Sequence, residues 1–401
     1  MAKAWSLENL EINPPLWLSY SESQALLAAL LQAGGEGRFV GGCVRDALLG
    51  HISTDLDVST NLKPGQATEA LEKAGFKVIP TGLDHGTITA LLNGRVFEVT
   101  TLRVDKNTDG RHADVEFTSD WQLDASRRDF TFNALYMDAG GHLFDFFEGI
   151  QDLAAGEVRF IGDAEERIRE DYLRILRYYR FWGRFGGEKT DPDIVQAIGK
   201  NLEGLGRLSK ERITKELFLM LETENVVKAI SQMMEAGVFT EIFATEYNPK
   251  ILSRLICSNF QNDKINRLNG LFDSFETPAS VYSALRLSSK EESRLRAVGN
   301  ESVEPDLSPR SCRRYIYKFG AQTFRDRILA SWARSETDFN YPAYLELMEN
   351  WSCPQFPVKG RDILEKGVKA GPDVGVALRM LEEKWIASDF QLDKENLLKS
   401  L

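Results

Sequence analysis

Two aspartates at alternate positions, Asp55 and Asp57, are the residues of this chain whose types and spacing bear most directly on chemistry. If Leu56 lies in a strand, both carboxylates project from the same face of a sheet. Neighbouring carboxylates repel each other, and both stay ionised most easily when a divalent cation lies between them. Hard oxygen ligands of this kind suit Mg²⁺. Metals held there can bridge an attacking hydroxyl, an α-phosphate and a leaving pyrophosphate.

A Gly-Gly pair and an arginine precede these aspartates in the stretch FVGGCVRDALLGHISTDLDVST, residues 39–60. Gly41 and Gly42 have no Cβ, so their backbone N–H groups can approach a phosphate chain closely. Arg45 offers a planar, permanently charged fork for phosphate oxygens. Taken singly, the glycines are typical of a turn and the aspartates of a solvated strand end. Together, in order and within 17 residues, they predict a nucleotidyl-transfer site.

A second group of polar residues lies in LDASRRDFTFNALYMD, residues 123–138. Arg127 and Arg128 can neutralise the charge of a triphosphate, while Asp129 and Asn133 can bond a ribose hydroxyl or orient the arginines. The alternative is an ion pair at the start of a helix.

The segment EDYLRILRYYRFWGRFG, residues 170–186, predicts an amphipathic helix. At 100° per residue, one face carries acids and arginines, namely Glu170, Asp171, Arg174, Arg177 and Arg180, and the opposite face carries Ile168, Tyr172, Ile175, Tyr179 and Trp182. A carboxylate that accepts from an exocyclic amine, beside an arginine that donates to the adjacent ring atom, would select cytosine and adenine over uracil and guanine. Salt bridges on a surface helix are the alternative interpretation.

The pattern of the chain changes near residue 150. Before it, helices and strands alternate: helices are predicted at 22–33 and 65–76, a buried strand at 39–44, and further strands at 86–94, 95–104 and 112–118. After it, helical periodicity dominates. The sequence therefore predicts an α/β domain followed by helical domains, with further boundaries near 225 and 330.

The composition, with 43% hydrophobic and 27% charged residues, is typical of a soluble globular protein. No apolar run approaches the ~20 residues of a membrane span, and no secretion signal is evident. The four cysteines and four histidines are not spaced as metal ligands. The scattered cysteines indicate reduced thiols in a cytoplasmic protein. A net charge of −11 argues against nonspecific wrapping of nucleic acid but leaves room for local basic tracks. Arginines recur over 159–184, and a second basic cluster, Arg310, Arg313, Arg314, Lys318, Arg325 and Arg327, is either such a track or a solvated helix face.

On these motifs the chain resembles the tRNA nucleotidyltransferase and poly(A) polymerase family, in its class II branch of bacterial and mitochondrial CCA-adding enzymes. GGCVRDALLG with DLD is similar to that family's first motif, RRDFTFNAL to its second, EGIQDL to its third, EDYLRILRYYRF to its fourth, and SKERITKEL, 209–217, approximates its fifth. The likeness spans about 40–220, and a weaker one covers 357–375.

The resemblance implies an α+β fold: an N-terminal nucleotidyltransferase α/β head followed by an all-helical neck, body and tail in a seahorse shape. The expected domains are a catalytic head at 1–150, a neck with the base-recognition helix at 151–225, a body at 226–330 and a tail for tRNA binding at 331–401. Shape recognition of tRNA needs only a local basic track.

Site roles carried over from the resemblance fall on motif positions only. They make Asp55 and Asp57 the catalytic ligands of Mg²⁺, and they make Gly42, Arg45, Arg128, Asp171, Arg174, Arg177 and Arg180 the nucleotide-binding residues. Within that set Asp171 and Arg174 pair with the base, with Glu170 steadying Arg174. Glu98 is a third carboxylate and a further candidate for the metal site.

The expected activity is template-independent addition of CCA to the 3′ end of tRNA, with CTP and ATP as substrates and no membrane or obligate protein partner. A CC-adding enzyme is disfavoured because 100–117 supplies the flexible loop that such members lack. An A-adding enzyme stays open. Poly(A) polymerases usually carry a basic C-terminal extension, and a silent RNA-binding protein on this scaffold would not need both aspartates.

Overall fold

A computed structural model describes residues 3–7, 10, 12–106, 114–187, 190–257, 263–299, 302–304, 306–336 and 341–401 of the chain. It divides into two compact units, Met1–Ala244 and Thr245–Leu401. The first unit contains a sheet and helices, whereas helices alone form the described part of the second, so the predicted α+β class is confirmed. The finer boundaries near 150, 225 and 330 remain predictions. None of the helices in the described ranges combines the length and apolar character that crossing a bilayer requires.

Ten strands occur within the described residues of the first unit. They are β1 (Lys3–Ser6), β2 (Gly37–Val40), β3 (Leu56–Thr60), β4 (Lys77–Gly82), β5 (Thr87–Leu92), β6 (Arg95–Thr101), β7 (Arg103–Lys106), β8 (Asp114–Phe117), β9 (Leu135–Met137) and β10 (His142–Asp145). Eight of them form one mixed sheet in the order β1-β10-β9-β2-β3-β6-β5-β4, and β7 and β8 form a separate antiparallel pair. Within the large sheet, β3 and β6 pair in parallel, with Asp57 opposite Glu98.

The first unit also contains eleven α-helices within its described residues. They are α1 (Ser21–Gln32), α2 (Gly42–Leu48), α3 (Pro64–Lys73), α4 (Trp121–Ser126), α5 (Gly149–Ala155), α6 (Ala164–Glu170), α7 (Leu173–Phe185), α8 (Pro192–Lys200), α9 (Lys210–Leu221), α10 (Val226–Glu235) and α11 (Val238–Phe243). The helices predicted at 22–33 and 65–76 are confirmed as α1 and α3.

One face of the large sheet is buried against α1 and α3. Along β6, Phe97 and Val99 are buried while Val96 and Glu98 are exposed, the alternation expected of a strand covered on one side. The buried residues share a core with Leu26 and Leu71 from the two helices. Removal of this apolar surface from water stabilises the sheet and leaves its other face for polar side chains.

The Gly-Gly pair starts a helix instead of continuing a strand. The prediction of a strand over 39–44 is wrong beyond Val40, because Gly41 has φ +71°, a left-handed conformation that glycine adopts without a steric penalty. The backbone N–H of Arg45 then donates to the carbonyl of Gly41 at 3.0 Å, which begins α2.

The helix predicted to run without interruption from Glu170 is broken at Asp171 and Tyr172. Helix α6 ends at Glu170, Asp171 is extended with φ −154° and ψ 105°, and α7 begins at Leu173. The Asp171 carboxylate accepts a hydrogen bond from the backbone N–H of Leu173 at 3.1 Å. An aspartate that bonds nearby backbone in this way competes with helix formation, which accounts for the break.

Helices make up the described secondary structure of the second unit. They are α12 (Pro249–Cys257), α13 (Lys264–Asn269), α14 (Ala279–Ala284), α15 (Ser289–Gly299), α16 (Pro309–Phe319), α17 (Ala321–Arg334), α18 (Tyr341–Asn350), α19 (Gly360–Glu365), α20 (Pro372–Ala387) and α21 (Lys394–Leu398).

The second basic cluster of the sequence divides between surface and interior. Arg327 is 2% exposed, and its Nε donates to the carbonyl of Ala297 at 2.8 Å. Arg313 and Arg325 form ion pairs with acids of the same unit. The remaining members are exposed along α16: Arg310, Arg314 and Lys318.

Candidate active site

Three carboxylates lie near one another on the face of the sheet that α1 and α3 leave uncovered. Asp55 is exposed just before β3, Asp57 is half-buried within it, and Glu98 is exposed on β6. Because paired residues of adjacent strands project from the same face, Asp57 and Glu98 stand side by side.

The electrostatics of Asp57 reflect this crowding. Burial, the negative charge of Glu98 and, more weakly, that of Asp55 raise its pKa to about 6, against the lowering effect of the Arg128 guanidinium. A carboxyl perturbed by neighbouring like charges is typical of a functional site. A cation bound there would relieve the repulsion that raises the pKa.

The chemistry of this donor set fits a hard divalent cation that also binds substrate. Within the described ranges, no three His, Cys, Asp or Glu side chains converge tightly enough to form a complete metal centre. Mg²⁺ is commonly held by one or two carboxylates together with substrate phosphates and water, rather than by a cage of protein ligands. Asp55 and Asp57 would supply the protein's share, with Glu98 alongside.

Arg128 lies beside the same face, next to the Gly-Gly turn. Its Nη2 donates to the hydroxyl of Ser59, two residues beyond Asp57 on β3, and to Oδ2 of Asp124, both at 3.3 Å. A Cβ added to Gly41 would lie 3.5 Å from Nη1 of Arg128. The guanidinium is therefore close to both the Gly-Gly turn and the strand that carries Asp57.

Arg45 points into the protein. It is 6% exposed, and its Nη1 donates to the side-chain oxygen of Asn133 at 2.6 Å while Nε donates to Asp46 at 2.9 Å. A pocket of about 350 Å³ is lined in part by Arg45, Arg180 and Arg184. The described hydrogen bonds therefore hold Arg45 to Asn133 and Asp46, and Arg45 shares the wall of this pocket with Arg180 and Arg184.

A buried ion network joins the second motif to α7 and α9. Oδ2 of Asp129 accepts from Nε of Arg177 at 2.6 Å, and although burial favours the neutral acid, Arg177 lowers the pKa of Asp129. Glu216, 3% exposed on α9, lies 3.6 Å from Nη1 of Arg177 and 3.2 Å from Nη1 of Arg180. Burial lowers the pKa of Arg180 to about 10 despite that carboxylate. Buried carboxylates thus hold the side chains of Arg177 and Arg180 in place.

The residues predicted to read the base flank the break between α6 and α7. Oδ2 of Asp171 accepts from Nη2 of Arg212 at 2.6 Å. Nη1 of Arg174 donates to Glu170 at 2.6 Å and to the carbonyl of Arg167 at 2.8 Å. Asp171 and Arg174 are each held by a separate partner, so both retain a fixed orientation without neutralising each other.

Sequence reasoning gave no role to Glu216, Arg212 or Asp124. The first two lie in SKERITKEL, the stretch that approximates the family's fifth motif, and that resemblance is the sequence signal that could have identified them. Asp124 lies four residues before Arg128, a spacing that places side chains together when the intervening residues are helical.

Comparisons with known proteins cover nearly the whole chain. Residues 37–159 match the family model described as the poly A polymerase head domain, and 189–250 match that of a probable RNA and SrmB-binding site of polymerase A. The mitochondrial CCA tRNA nucleotidyltransferase 1 of Homo sapiens is 34% identical, with 94% of this chain and 88% of that protein covered. The CCA-adding enzyme of Ligilactobacillus salivarius is 30% identical over 95% of this chain and 96% of its own.

A solved structure of a CCA-adding enzyme has a fold similar to that of this chain. The crystal structure of the Bacillus stearothermophilus CCA-adding enzyme in complex with CTP superposes with a TM-score of 0.75 at 26% identity, and the match covers 94% of this chain and 95% of that one.

Proposed function

The chain belongs to the family of CCA-adding tRNA nucleotidyltransferases, and we propose that Asp55 and Asp57 are its catalytic, metal-binding residues. It adds C, C and A to the 3′ end of tRNA without a nucleic-acid template, with CTP and ATP as substrates and pyrophosphate as the leaving group. The observation that carries the site assignment is the parallel pairing of β3 with β6, which sets Asp57 beside Glu98 on the sheet face next to which Arg128 lies.

The family requires a divalent metal, and we take it to be Mg²⁺ held by Asp55 and Asp57. When bound, Mg²⁺ supplies Lewis-acid stabilisation of the charge that develops on the α-phosphate and the leaving pyrophosphate. The half-buried position of Asp57 fixes its carboxylate on β3, while the exposed Asp55 remains open to substrate. Glu98 strengthens the negative potential at this point of the sheet.

The nucleotide-binding role is assigned to Gly42, Arg45, Arg128, Arg177 and Arg180. Arg128, beside the Gly-Gly turn, would bind the triphosphate, since a guanidinium matches phosphate oxygens in two-point contacts. Gly42 has no side chain to block approach to the N-terminus of α2. Arg45, Arg177 and Arg180 act from the interior, where their positive charge favours an anionic ligand or the RNA backbone.

Base choice is assigned to Asp171 and Arg174. The Asp171 carboxylate retains lone pairs beyond those used by Arg212 and Leu173, so it can accept from the exocyclic amine of cytosine or adenine. Arg174, held at Nη1 by Glu170, would donate to the neighbouring ring atom. Uracil and guanine present a carbonyl where the carboxylate needs a donor.

We also propose that the protein acts in the cytoplasm. Its four cysteines are free thiols, two buried and two exposed, which accords with a reducing compartment. Fractionation of the source cells, with an antibody against the chain, tests this location.

One assay tests the proposed function. Transfer RNAs that end before CCA, in C and in CC are each offered labelled CTP or ATP. We expect CTP incorporation on the first two and ATP incorporation on the third. Incorporation of ATP alone, on the CC-ended substrate alone, would identify an A-adding enzyme instead.

The same assay tests the metal site. Asp57→Asn and Asp55→Asn should abolish incorporation on all three substrates while tRNA binding is kept, because each removes a charge with little change in size. Asp84→Asn, at an exposed residue, is the matched control. Near-normal turnover by either mutant of the pair would rule out the assignment.

A further inference from the structure

Asp124 is a fully buried carboxylate that has no assigned role in the reaction. It lies on α4 with no exposed surface, four residues before Arg128. An ionised group this deep in the protein requires charge partners or hydrogen bonds that offset its lost hydration. Burial by itself would raise its pKa, but Arg128, Arg127 and the Tyr136 hydroxyl together lower the pKa of Asp124 below its usual value, so it is ionised.

Four donors surround this carboxylate. Oδ1 accepts from Nε of Arg127 at 2.9 Å and from the backbone N–H of Arg103 at 3.2 Å. Oδ2 accepts from the hydroxyl of Tyr136 at 2.8 Å and from Nη2 of Arg128 at 3.3 Å. A carboxylate offers about four lone-pair sites, so this one is saturated and cannot rotate without losing a bond.

The donors come from different parts of the first unit. Arg103 begins β7, Tyr136 lies in β9 of the large sheet, and the two arginines follow α4. Asp124 is therefore fixed relative to the sheet on one side and to the β7–β8 pair on the other.

The contact with Arg128 is directional. Both of the side-chain acceptors described above for Arg128, Asp124 and Ser59, bind Nη2, while Nη1 lies toward Gly41. Tyr136 also contacts Arg128, through its hydroxyl and through its ring, whose centre is 5.4 Å from the guanidinium carbon. With Nη2 held by Asp124 and Ser59, the edge of the guanidinium that carries Nη1 faces the Gly-Gly turn, where the triphosphate is proposed to bind.

We propose that Asp124 is a positioning residue, which orients Arg128 toward the triphosphate of the incoming nucleotide without touching the substrate itself. This inference rests on the proposed role of Arg128. A long, charged side chain has considerable rotamer freedom, and loss of that freedom on binding lowers affinity. Prior fixation by Asp124 removes part of that cost for CTP and ATP alike, since both carry the same triphosphate.

Asp124→Asn tests the proposal in the full-length enzyme. The amide has nearly the same size, but it lacks the charge and presents a donor to groups that are themselves donors. We expect KM for both CTP and ATP to rise about tenfold to a hundredfold, the range for losing a hydrogen bond to a charged group, with kcat much less affected. Asp145→Asn is the matched control, because that carboxylate is 3% exposed and accepts from backbone N–H groups near α5.

A double-mutant cycle separates positioning from a merely structural role. If Asp124 acts through Arg128, the Asp124→Asn, Arg128→Ala double variant should match Arg128→Ala alone to within about twofold in KM. Independent, additive effects would overturn the proposal, as would an Asp124→Asn enzyme with a lowered melting temperature but unchanged KM. If Arg128→Ala itself binds CTP normally, the assignment of Arg128 fails and this inference fails with it. An impaired Arg128→Ala beside a normal Asp124→Asn overturns the inference alone.

Tyr136→Phe provides a milder variant should Asp124→Asn fail to fold. It removes one donor from the oxygen that also binds Arg128 and keeps the aromatic ring. The carboxylate then gains freedom to rotate, and we expect KM for CTP and ATP to rise about twofold to tenfold, the net effect of one hydrogen bond. An unchanged KM in a folded Tyr136→Phe enzyme would count against the proposal.

Discussion

At the scale of single residues, the proposed base selection rests on Asp171, a carboxylate that Arg212 holds in place. Substitution of Asp171 by alanine would take away the proposed acceptor for an exocyclic amine and leave the donors of Arg174 in place. A buried group left without its partner costs ~1–3 kcal/mol, so discrimination should fall roughly tenfold to a hundredfold. We expect Asp171→Ala to use CTP and ATP less efficiently and to incorporate UTP detectably, measured as kcat/KM for each nucleotide.

Arg212→Gln is the companion variant for that measurement. It keeps the Asp171 carboxylate but removes the guanidinium that holds it at 2.6 Å. Its loss of selectivity should be smaller than that of Asp171→Ala. If the alanine variant were as selective as the parent enzyme, base recognition would lie elsewhere and the ion pairs around the α6–α7 break would be purely structural.

Glu216 provides a second prediction at this scale. Glu216→Gln removes the carboxylate that pairs with Arg180, whose charged form burial already disfavours. Breaking a buried ion pair costs up to about 3–5 kcal/mol. We therefore expect a lower melting temperature, measured by calorimetry, together with weaker nucleotide binding. Glu203→Gln, at an exposed residue between α8 and α9, should change neither. Equal stability of the two variants would show that Arg180 does not depend on Glu216.

At the scale of elements, the residue pattern correctly predicted those helices and strands whose formation depends on local sequence. Helices α1 and α3 and strands β5 and β6 follow from periodicity and from flanking glycines. The break at Asp171 did not, because a helical wheel assumes continuity and ignores a side chain that bonds the backbone two residues later. The predicted strand extended past Gly41 because the apolar residues on both sides of the Gly-Gly pair are also typical of a strand.

The site required long-range information that one sequence does not contain. Asp55 and Asp57 stand out by spacing, whereas the place of Glu98 beside them depends on β3 and β6 pairing in parallel across about forty residues. Glu216 meets Arg177 only because α9 packs against α7. Such contacts come from tertiary packing, and propensity and spacing carry no record of them.

The segment between β7 and β8 carries the prediction that belongs to this scale. Within the flexible loop expected at 100–117, residues 105–112 are predicted to act as a lever that changes specificity from C to A, and residues 107–113 lie outside the described part of the chain. Deletion of 105–112 should preserve CC addition and abolish the final A, as scored by the length of labelled products. Equal loss of both steps would indicate a folding defect, and no loss would remove the loop from the mechanism.

Asp105→Asn is the control for that deletion. Asp105 lies 3.2 Å from Nε of Arg103 and 3.8 Å from Nη1 of Arg127, so the deletion also removes these two ion pairs. The single substitution removes their charge and keeps the loop. We expect it to retain A addition, which would assign the deletion's effect to the loop itself.

At the scale of the whole molecule, an acidic protein must bind an acidic polymer. With a net charge of −11, attraction to tRNA has to come from local groups of basic residues. One such group is the α16 stripe, defined as Arg310, Arg314 and Lys318. These residues are exposed and spaced four apart, so they share one face of α16, while Cys312 and Ile316 are buried on the other.

Replacement of the whole α16 stripe by glutamine should weaken tRNA binding without affecting the chemistry. Each lost phosphate contact reduces the slope of log K against log salt by about 1, so the slope should fall by up to about 3. We expect a higher KM for tRNA, an unchanged KM for CTP, and an effect that shrinks as salt is raised. A control enzyme with the same change in charge carries glutamine at three exposed positions on other helices, Lys250, Lys290 and Arg296. If the two enzymes bind tRNA equally well, with the same salt slope, the stripe is only a solvated helix face, and the RNA contacts lie on other basic residues.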